Sequence, residues 1–385
     1  MRILSVSPVP THPTTAGNRA RVRAVAEMLE QLGHEVHLLW CGTQGEALPV
    51  MHEVWGERLV CGPSLKRGSR WGRMRRRWLG RLRTDWAYTY GIDEWCPRGL
   101  EDQVRSLARR LGVGAVLVNY VFLSRALVGL PSDMFKLIDT HNVFALRHRA
   151  FLRHGERPSW YSTTRRGERH GLDRADVILA IESEGADHFR GLTRTPVVTV
   201  GHRISPVCPP GPEARTGDLL FVGSDNPQNR HGLQFFLDEV WSRIRGAVPG
   251  VRFRIVGAIA SAVDAREGVV SVGRVPDLGE VYRQAAVVVN PVRFNTGLSI
   301  KNLEALGYAR PLVTAAVGAR GLERAAGRAF RVAEDARSFA DEVVALLQDP
   351  DRRSGLAAEA HAFACSWNAE VLQQLHAALA MALPA

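Results

Sequence analysis

The sequence predicts two doubly wound α/β domains joined by a proline-rich linker and facing each other across a cleft. Three observations carry that prediction. Short apolar runs alternate with amphipathic stretches, as β-α-β units require. The alternation stops over residues 202–217 and then restarts. The 385 residues are too many for one ordinary domain and suit two of roughly 150–200 residues. With 45% hydrophobic residues, each half has the material for its own core.

In order, RILSVS (2–7) reads as a strand, Asn18 to Leu32 as a helix ending at Gly33, and EVHLLW (35–40) as the next strand. GAVLVNYV, FKLIDT, DVILAI and PVVTV follow, each bounded by helical or turn-rich sequence. These runs are apolar on nearly every residue, the pattern of parallel strands covered on both faces. HRISPVCPPGPEARTG (202–217) holds four prolines and two glycines without periodicity, and reads as a linker. Alternation resumes with DLLFVG, a helix through LQFFLDEVWSRI, VRFRIVG, GVVSVG, a helix near LGEVYRQA, AVVVNP, a helix through IKNLEALGY, and PLVTAAVG. WNAEVLQQLHAALAMAL closes the chain as a long amphipathic helix. Ligands of such sheets bind beyond the carboxyl ends of the strands.

Composition narrows the function. No apolar run reaches the roughly 18–20 residues needed to cross a bilayer. The apolar N-terminus is too short for a signal segment and runs into prolines, so it reads as a first buried strand in a cytoplasmic, soluble or peripheral protein. The five cysteines (Cys41, Cys61, Cys96, Cys208, Cys365) form no metal or disulfide pattern, and no metal site is expected. Net charge is +11, carried by only three lysines (Lys66, Lys136, Lys301) and 47 arginines. Such a bias follows base composition, and makes Lys301 an uncommon choice of residue. A basic chain suits nucleic acid, membrane or small anions. Nine of the basic residues fall between Lys66 and Arg83 with no acid among them, and no nucleic-acid-binding motif is present, so nucleic acid is not an expected partner.

Three segments carry candidate chemistry. In ILSVSPVPTHPTTAGNRARV a strand ends, prolines hold a loop open, and Gly17 precedes a helix that starts near Asn18 and Arg19. A glycine there lets backbone approach a ligand, and a helix start favours anions. An ordinary βα turn with an asparagine cap explains the same residues. FKLIDTHNVF delivers Asp139, Thr140, His141 and Asn142 to a strand end, where His141 can bond a sugar hydroxyl or phosphate, or move a proton. The most specific segment is VVVNPVRFNTGLSIKNLEALGYARPLVTAAVGARGL. A strand ends at Asn290-Pro291, a loop holds Phe294, Asn295, Thr296 and Gly297, and a helix begins near Leu298 with Ser299 and Lys301 in its first turn. Its N–H groups can cradle a diphosphate, Lys301 offers a compact charge, and Glu304 can accept from both ribose hydroxyls.

This last segment resembles the donor site of the glycosyltransferase group 1 family (family 4, retaining). That family's pattern is E-x7-E within EGFGLxxxEAxAxGxPVV, or a variant with a GxxxK core. Here T-G-L-S-I-K-N-L-E-A-L-G-Y-A-R-P-L-V matches at Gly297, Lys301, Glu304 and Pro311, and has Thr296 in place of the first glutamate. GDLLFVGS resembles the first strand of the family's C-terminal domain, ending at Gly223. Arg230, His231 and Gly232 fall where the family has a basic residue and glycine, and Arg274-Val275 where backbone contacts the base. Gly17 and the strand ending Asp139-Thr140-His141 resemble the acceptor-side glycine loop and active-site histidine. The resemblance is strongest over 218–321.

The resemblance implies the GT-B fold, two Rossmann-like domains: an acceptor-side domain (1–202), a linker (203–217), a nucleotide-sugar-binding domain (218–366), and a final helix (367–385) packing back on the first domain. It implies retaining transfer from a UDP- or GDP-linked sugar to a saccharide or lipid-linked acceptor, in bacterial polysaccharide or glycolipid assembly, without cofactor or obligatory metal. His141 and Lys301 are the catalytic candidates. The donor candidates are Gly223, Arg230, His231, Arg274, Val275, Asn295, Thr296, Gly297, Leu298, Ser299 and Glu304. A threonine supplies no carboxylate charge, so Thr296 leaves open a different donor sugar or mechanism, or a catalytically dead GT-B binding module; another GT-B enzyme, such as a nucleotide-sugar epimerase, is the alternative among enzymes.

One segment stands apart. Over 65–83, Trp71, Met74, Trp78 and Leu82 recur at three- and four-residue steps among arginines, with Gly72 and Gly80 as weak points. This is the pattern of an interfacial helix on an anionic membrane. A packed helix with a solvated arginine face, or an anionic acceptor drawn into the cleft, explains it equally.

Overall fold

The computed structural model describes residues 1–43, 45–65, 68, 70–82, 84–207, 217–294 and 297–381. They fall into two units, Met1–Arg203 with Val371–Ala385, and Ile204–Glu370. Of the linker expected at 203–217, residues 208–216 lie outside the described residues.

The first unit is built on seven parallel strands: β1 (Arg2–Ser7), β2 (Glu35–Trp40), β3 (Leu59–Cys61), β4 (Ala115–Asn119), β5 (Phe135–Asp139), β6 (Val177–Ala180) and β7 (Val197–Thr199). Their order is β3-β2-β1-β4-β5-β6-β7, so the winding reverses between β1 and β4. Every residue of β4 is buried, as its unbroken apolar sequence requires. The covering helices read as amphipathic. In Leu100–Leu111 the buried residues are Leu100, Val104, Leu107 and Ala108, a helical stripe. Acids Glu101 and Asp102 occupy its first turn and Arg109 and Arg110 its last, complementing the helix dipole. Gly112, left-handed at φ 61°, ends it.

The second unit repeats the plan with β8 (Leu219–Val222), β9 (Phe253–Val256), β10 (Val269–Gly273), β11 (Val287–Asn290), β12 (Leu312–Ala315) and β13 (Arg331–Ala333). All pairings are parallel, in the order β10-β9-β8-β11-β12-β13. The reversal lies between β8 and β11. In both units it marks where ligands of doubly wound sheets bind.

Two elements differ from the sequence reading. The helix expected through LQFFLDEVWSRI is interrupted by a wide, π-helical turn at Phe236–Val240, between Pro227–Phe235 and Trp241–Ala247. The final helix starts at Pro350 rather than near Trp367 and runs to Ala380, and its residues from Val371 onward belong to the first unit. Proline is at home in a first helical turn, and the alanine-rich stretch after it favours helix despite Gly355.

Candidate functional site

In the second unit, the loops after the adjacent strands β8 and β11 are brought together by close backbone packing. Gly257, which follows β9, has φ +101°, and a Cβ there would lie 2.2 Å from the Gly223 carbonyl oxygen. A Cβ on Gly232 would lie 2.7 Å from the Pro291 carbonyl oxygen. Only glycine lets the helix Pro227–Phe235 approach the loop after β11 so closely.

Asparagines then fix both loops. Asn226 caps the helix Pro227–Phe235, accepting from the Asn229 N–H at 2.8 Å. The Asn229 side chain donates its amide to the Ser224 carbonyl at 2.7 Å, which turns its oxygen toward Lys301, and Lys301 Nζ donates to that oxygen at 2.6 Å. The same ammonium lies 4.3 Å from the Phe221 ring centroid. At the end of β11, Asn290 donates to Ser299 Oγ at 3.0 Å and to Asn302 Oδ1 at 2.8 Å. Asn302 passes the chain on to the Gly318 carbonyl at 2.8 Å. Ser299 therefore precedes the helix Ile300–Gly307 rather than lying in its first turn, and its hydroxyl faces β11.

Lys301 and Glu304 share that helix. Burial pushes the lysine down and the carboxyl up, each to about 7, and the opposite charge of each partly offsets the shift of the other. The Tyr282 hydroxyl donates to Glu304 Oε2 at 3.1 Å, and Tyr282 stacks on Tyr308 with ring centroids 4.8 Å apart. The site thus combines a cation of labile charge, a carboxyl of labile charge and a stacked aromatic pair.

The remaining donor candidates are placed variously. Gly297, Leu298 and Ser299 are buried before the helix. His231 meets the Phe294 ring edge-on at 5.4 Å. Arg230 forms a bidentate pair with Asp225, at 2.5 and 2.6 Å, on the exposed side of its helix. Arg274 is exposed and Val275 half-buried in the loop after β10. Asn295 and Thr296 lie outside the described residues. Asn229, Asn290, Asn302 and Tyr282 escaped sequence reasoning; the signal available was Asn290-Pro291 at a strand end.

In the first unit, the helix Gly17–Gln31 follows β1. Its N-cap is Ala16, without a side-chain cap. Asn18 accepts instead from the Arg19 N–H at 3.0 Å. Arg19 donates to the Pro13 carbonyl at 3.1 Å. One turn on, Arg21 grips Asp139 of β5, and neither side chain reaches solvent. Burial would raise the Asp139 carboxyl, but Arg21, with His141 and His202, overrides it and holds the carboxyl below its ordinary value.

His141 adopts φ 58° and Tyr120 φ 73°, both left-handed, and their rings stack with centroids 4.1 Å apart. His141 Nε2 lies 3.1 Å from Asn119 Oδ1 and 3.4 Å from Asp139 Oδ2. Asn119 donates its amide to the Val6 carbonyl at 3.2 Å, so its oxygen faces the ring and Nε2 carries the hydrogen. Burial, with Arg21 adding to it against Asp139, lowers His141 to about 4; burial likewise lowers His202 to about 3. At neutral pH His141 is a neutral imidazole in one fixed tautomer.

Among the described residues no group of three or more His, Cys, Asp or Glu side chains is placed to hold a metal, and no helix is long and apolar enough to cross a membrane. Cys41, Cys61, Cys96 and Cys365 are free; Cys208 lies outside the described residues.

Residues 216–349 match the family model described as "Glycosyl transferases group 1". A search of curated protein sequences finds no match. Among solved structures, the chain is similar to Anabaena HepE in complex with UDP, at 13% identity and TM-score 0.65, covering 99% of this chain and 100% of that one. A point mutant of S. aureus TarM, in complex with Fondaparinux, alpha-GlcNAc-glycerol and UDP, superposes at TM-score 0.71 and 9% identity over 100% of both chains. The pneumococcal O-GlcNAc transferase GtfA, in complex with UDP and GlcNAc, gives TM-score 0.68 and 11% identity over 100% of this chain and 99% of that one. Residues 216–349 thus match the group 1 glycosyltransferase family model, in a chain whose two parallel-sheet units have the GT-B fold.

Proposed function

We propose that the chain transfers a sugar, with retention, from a nucleotide-sugar held by the second unit to a saccharide or lipid-linked acceptor served by the first. The observation that carries this reading is the pairing of Lys301 with Asn229 and of Glu304 with Tyr282 at the carboxyl ends of β8 and β11. Lys301 stabilises the negative charge that develops on the departing diphosphate, and Glu304 accepts from the ribose hydroxyls. The backbone N–H groups of Gly223, Gly297, Leu298 and Ser299 serve the phosphates and sugar, Asn295 and Thr296 are assigned to the same part of the donor, and Arg230, His231, Arg274 and Val275 to the nucleotide. HepE, TarM and GtfA were each solved with UDP, which favours UDP over GDP here. On the acceptor side, neutral His141 bonds a sugar hydroxyl, and the loop at Gly17, Asn18 and Arg19 receives the anionic part of the ligand. No cofactor or metal is required, and the protein acts on the cytoplasmic side, at the inner face of a membrane.

A thermal-shift screen against UDP, GDP and their sugar conjugates tests this, because a ligand at 100 times its Kd stabilises the native state by about 2.7 kcal/mol. The reading requires a shift with a nucleotide-sugar and release of free nucleotide over time. A shift without release indicates the binding-module alternative that Thr296 invites, and no shift with any nucleotide refutes the donor site.

A further inference from the structure

The helix Arg70–Leu79 is built inside out. Trp71, Met74 and Trp78 lie at three- and four-residue steps and are 81%, 64% and 62% exposed, and Leu82 just beyond is 65% exposed. The residue that enters the domain is Arg76, which is buried, pairs with Glu94 and lies 3.9 Å from the Tyr90 ring centroid. An ordinary surface helix does the reverse, hiding its tryptophans and exposing its arginines. The next helix, Thr84–Tyr88, is also fastened by charge. Asp85 lies 2.8 Å from His148 Nε2 and accepts from Arg149 Nε at 3.1 Å, and His148 Nδ1 lies 2.9 Å from Ser162 Oγ. Polar clamps therefore anchor the segment, and the apolar stripe takes no part in holding it.

At about 100° per residue, Arg75 falls on one flank of the stripe and Arg73 and Arg77 on the other. All three are exposed, and so is Arg81. Among the described residues no ion pair neutralises Arg75, Arg77 or Arg81, and the sequence has no acid between 65 and 83. A row of tryptophans bordered by uncompensated cations matches one partner chemistry: apolar side chains at the headgroup–acyl boundary, cations on lipid phosphates.

We propose that this face docks on an anionic lipid surface, with Trp71, Met74, Trp78 and Leu82 entering the interface and Arg73, Arg75, Arg77 and Arg81 contacting headgroups. A second copy of the chain fits poorly, since an isologous contact through this face would set arginine against arginine. Docking deepens the reading of a lipid-linked acceptor, because it holds the protein where such an acceptor resides. It rests on the exposed face and not on the transfer chemistry.

The test is co-sedimentation of the full chain, without donor, with vesicles of equimolar phosphatidylglycerol and phosphatidylcholine and with vesicles of phosphatidylcholine alone. Protein should pellet with the first and stay free of the second, and binding should weaken as salt rises. Each basic side chain near an anionic surface is worth about fivefold in binding, so Arg75→Glu with Arg77→Glu should cost more than twentyfold at low salt. Trp71→Ser with Trp78→Ser should cost at least tenfold while leaving the melting temperature unchanged. Three results each overturn the proposal: no pelleting at low salt; full binding by the tryptophan variant; or a dimer in sedimentation velocity that this variant dissolves, which would assign the face to a second copy. Donor hydrolysis by soluble protein is read separately, so failure of docking leaves the transfer reading standing, and the reverse holds.

Discussion

Arg21 holds Asp139 through both carboxylate oxygens, at 2.9 and 3.0 Å, with neither side chain exposed. The pair joins the first helix to the end of β5 and sits behind His141. Removing one partner of a buried pair leaves the other charge unpaired, at a cost of roughly 3–5 kcal/mol. Arg21→Met should therefore lower unfolding free energy in urea by about that amount, and a loss below about 1 kcal/mol would show that the pair is not the anchor of this helix.

His141 and His202 set an acid limit on the same unit. Both are lowered from 6.5, to about 4 and about 3. The unfolded chain takes up protons as pH falls below its ordinary histidine value, and the native chain refuses them, so stability should decline from about pH 6.5 to about pH 3. Asp139 acts lower, because its depressed carboxyl keeps its contribution until pH falls below the ordinary aspartate range. Chemical denaturation at pH 7 and pH 5 measures the slope, and His141→Gln with His202→Gln should flatten it. An unchanged slope would place the acid-sensitive groups elsewhere.

Donor binding should exchange protons in a direction set by pH. Lys301 and Glu304 both lie near 7 in the unliganded protein. A diphosphate beside Lys301 favours its charged form, and ribose hydroxyls favour ionised Glu304. Above pH 7, where Glu304 is already ionised, binding should take up protons at Lys301; below pH 7, where Lys301 is already charged, it should release them from Glu304. Calorimetry in buffers of different ionisation heat reads both signs. Glu304→Gln should abolish the low-pH release and weaken nucleotide binding by roughly 1.5–3 kcal/mol, the usual worth of a charged hydrogen bond. Uptake at both pH values would refute the assignment of Glu304.

Activity should survive chelation, since the charge of the leaving diphosphate is assigned to Lys301 and backbone N–H groups. Turnover with and without EDTA should agree within error. Complete loss, restored by a divalent ion, would assign that charge to a metal.

Much of the fold was legible in the sequence because each buried strand is apolar on nearly every residue and because the prolines of 202–217 punctuate the chain. Lys301 and Glu304 stood out in the sequence by their spacing after a strand end, whereas Ser299, read into the first helical turn, precedes the helix. What carries Lys301 was not legible. Asn229 lies 72 residues away in sequence, and its role depends on Ser224 turning its amide, which no local pattern encodes. The same holds for Arg21 and Asp139, 118 residues apart. Arg21 reads in sequence as one more arginine of a helix face. In the segment around Arg70–Leu79 the amphipathic period was legible, but which side faces the domain was not, because the anchor is Arg76 and its partner Glu94 lies beyond the helix.

The central claim is that the second unit turns over a nucleotide-sugar with Lys301 at the leaving group. The direct measurement is kcat for nucleotide release by wild type and Lys301→Ala, at saturating donor and with the melting temperature recorded for both. A positioned electrostatic group is worth about two orders of magnitude in rate, so kcat should fall about a hundredfold in a variant that remains folded. A folded Lys301→Ala protein releasing nucleotide at the wild-type kcat would contradict the claim.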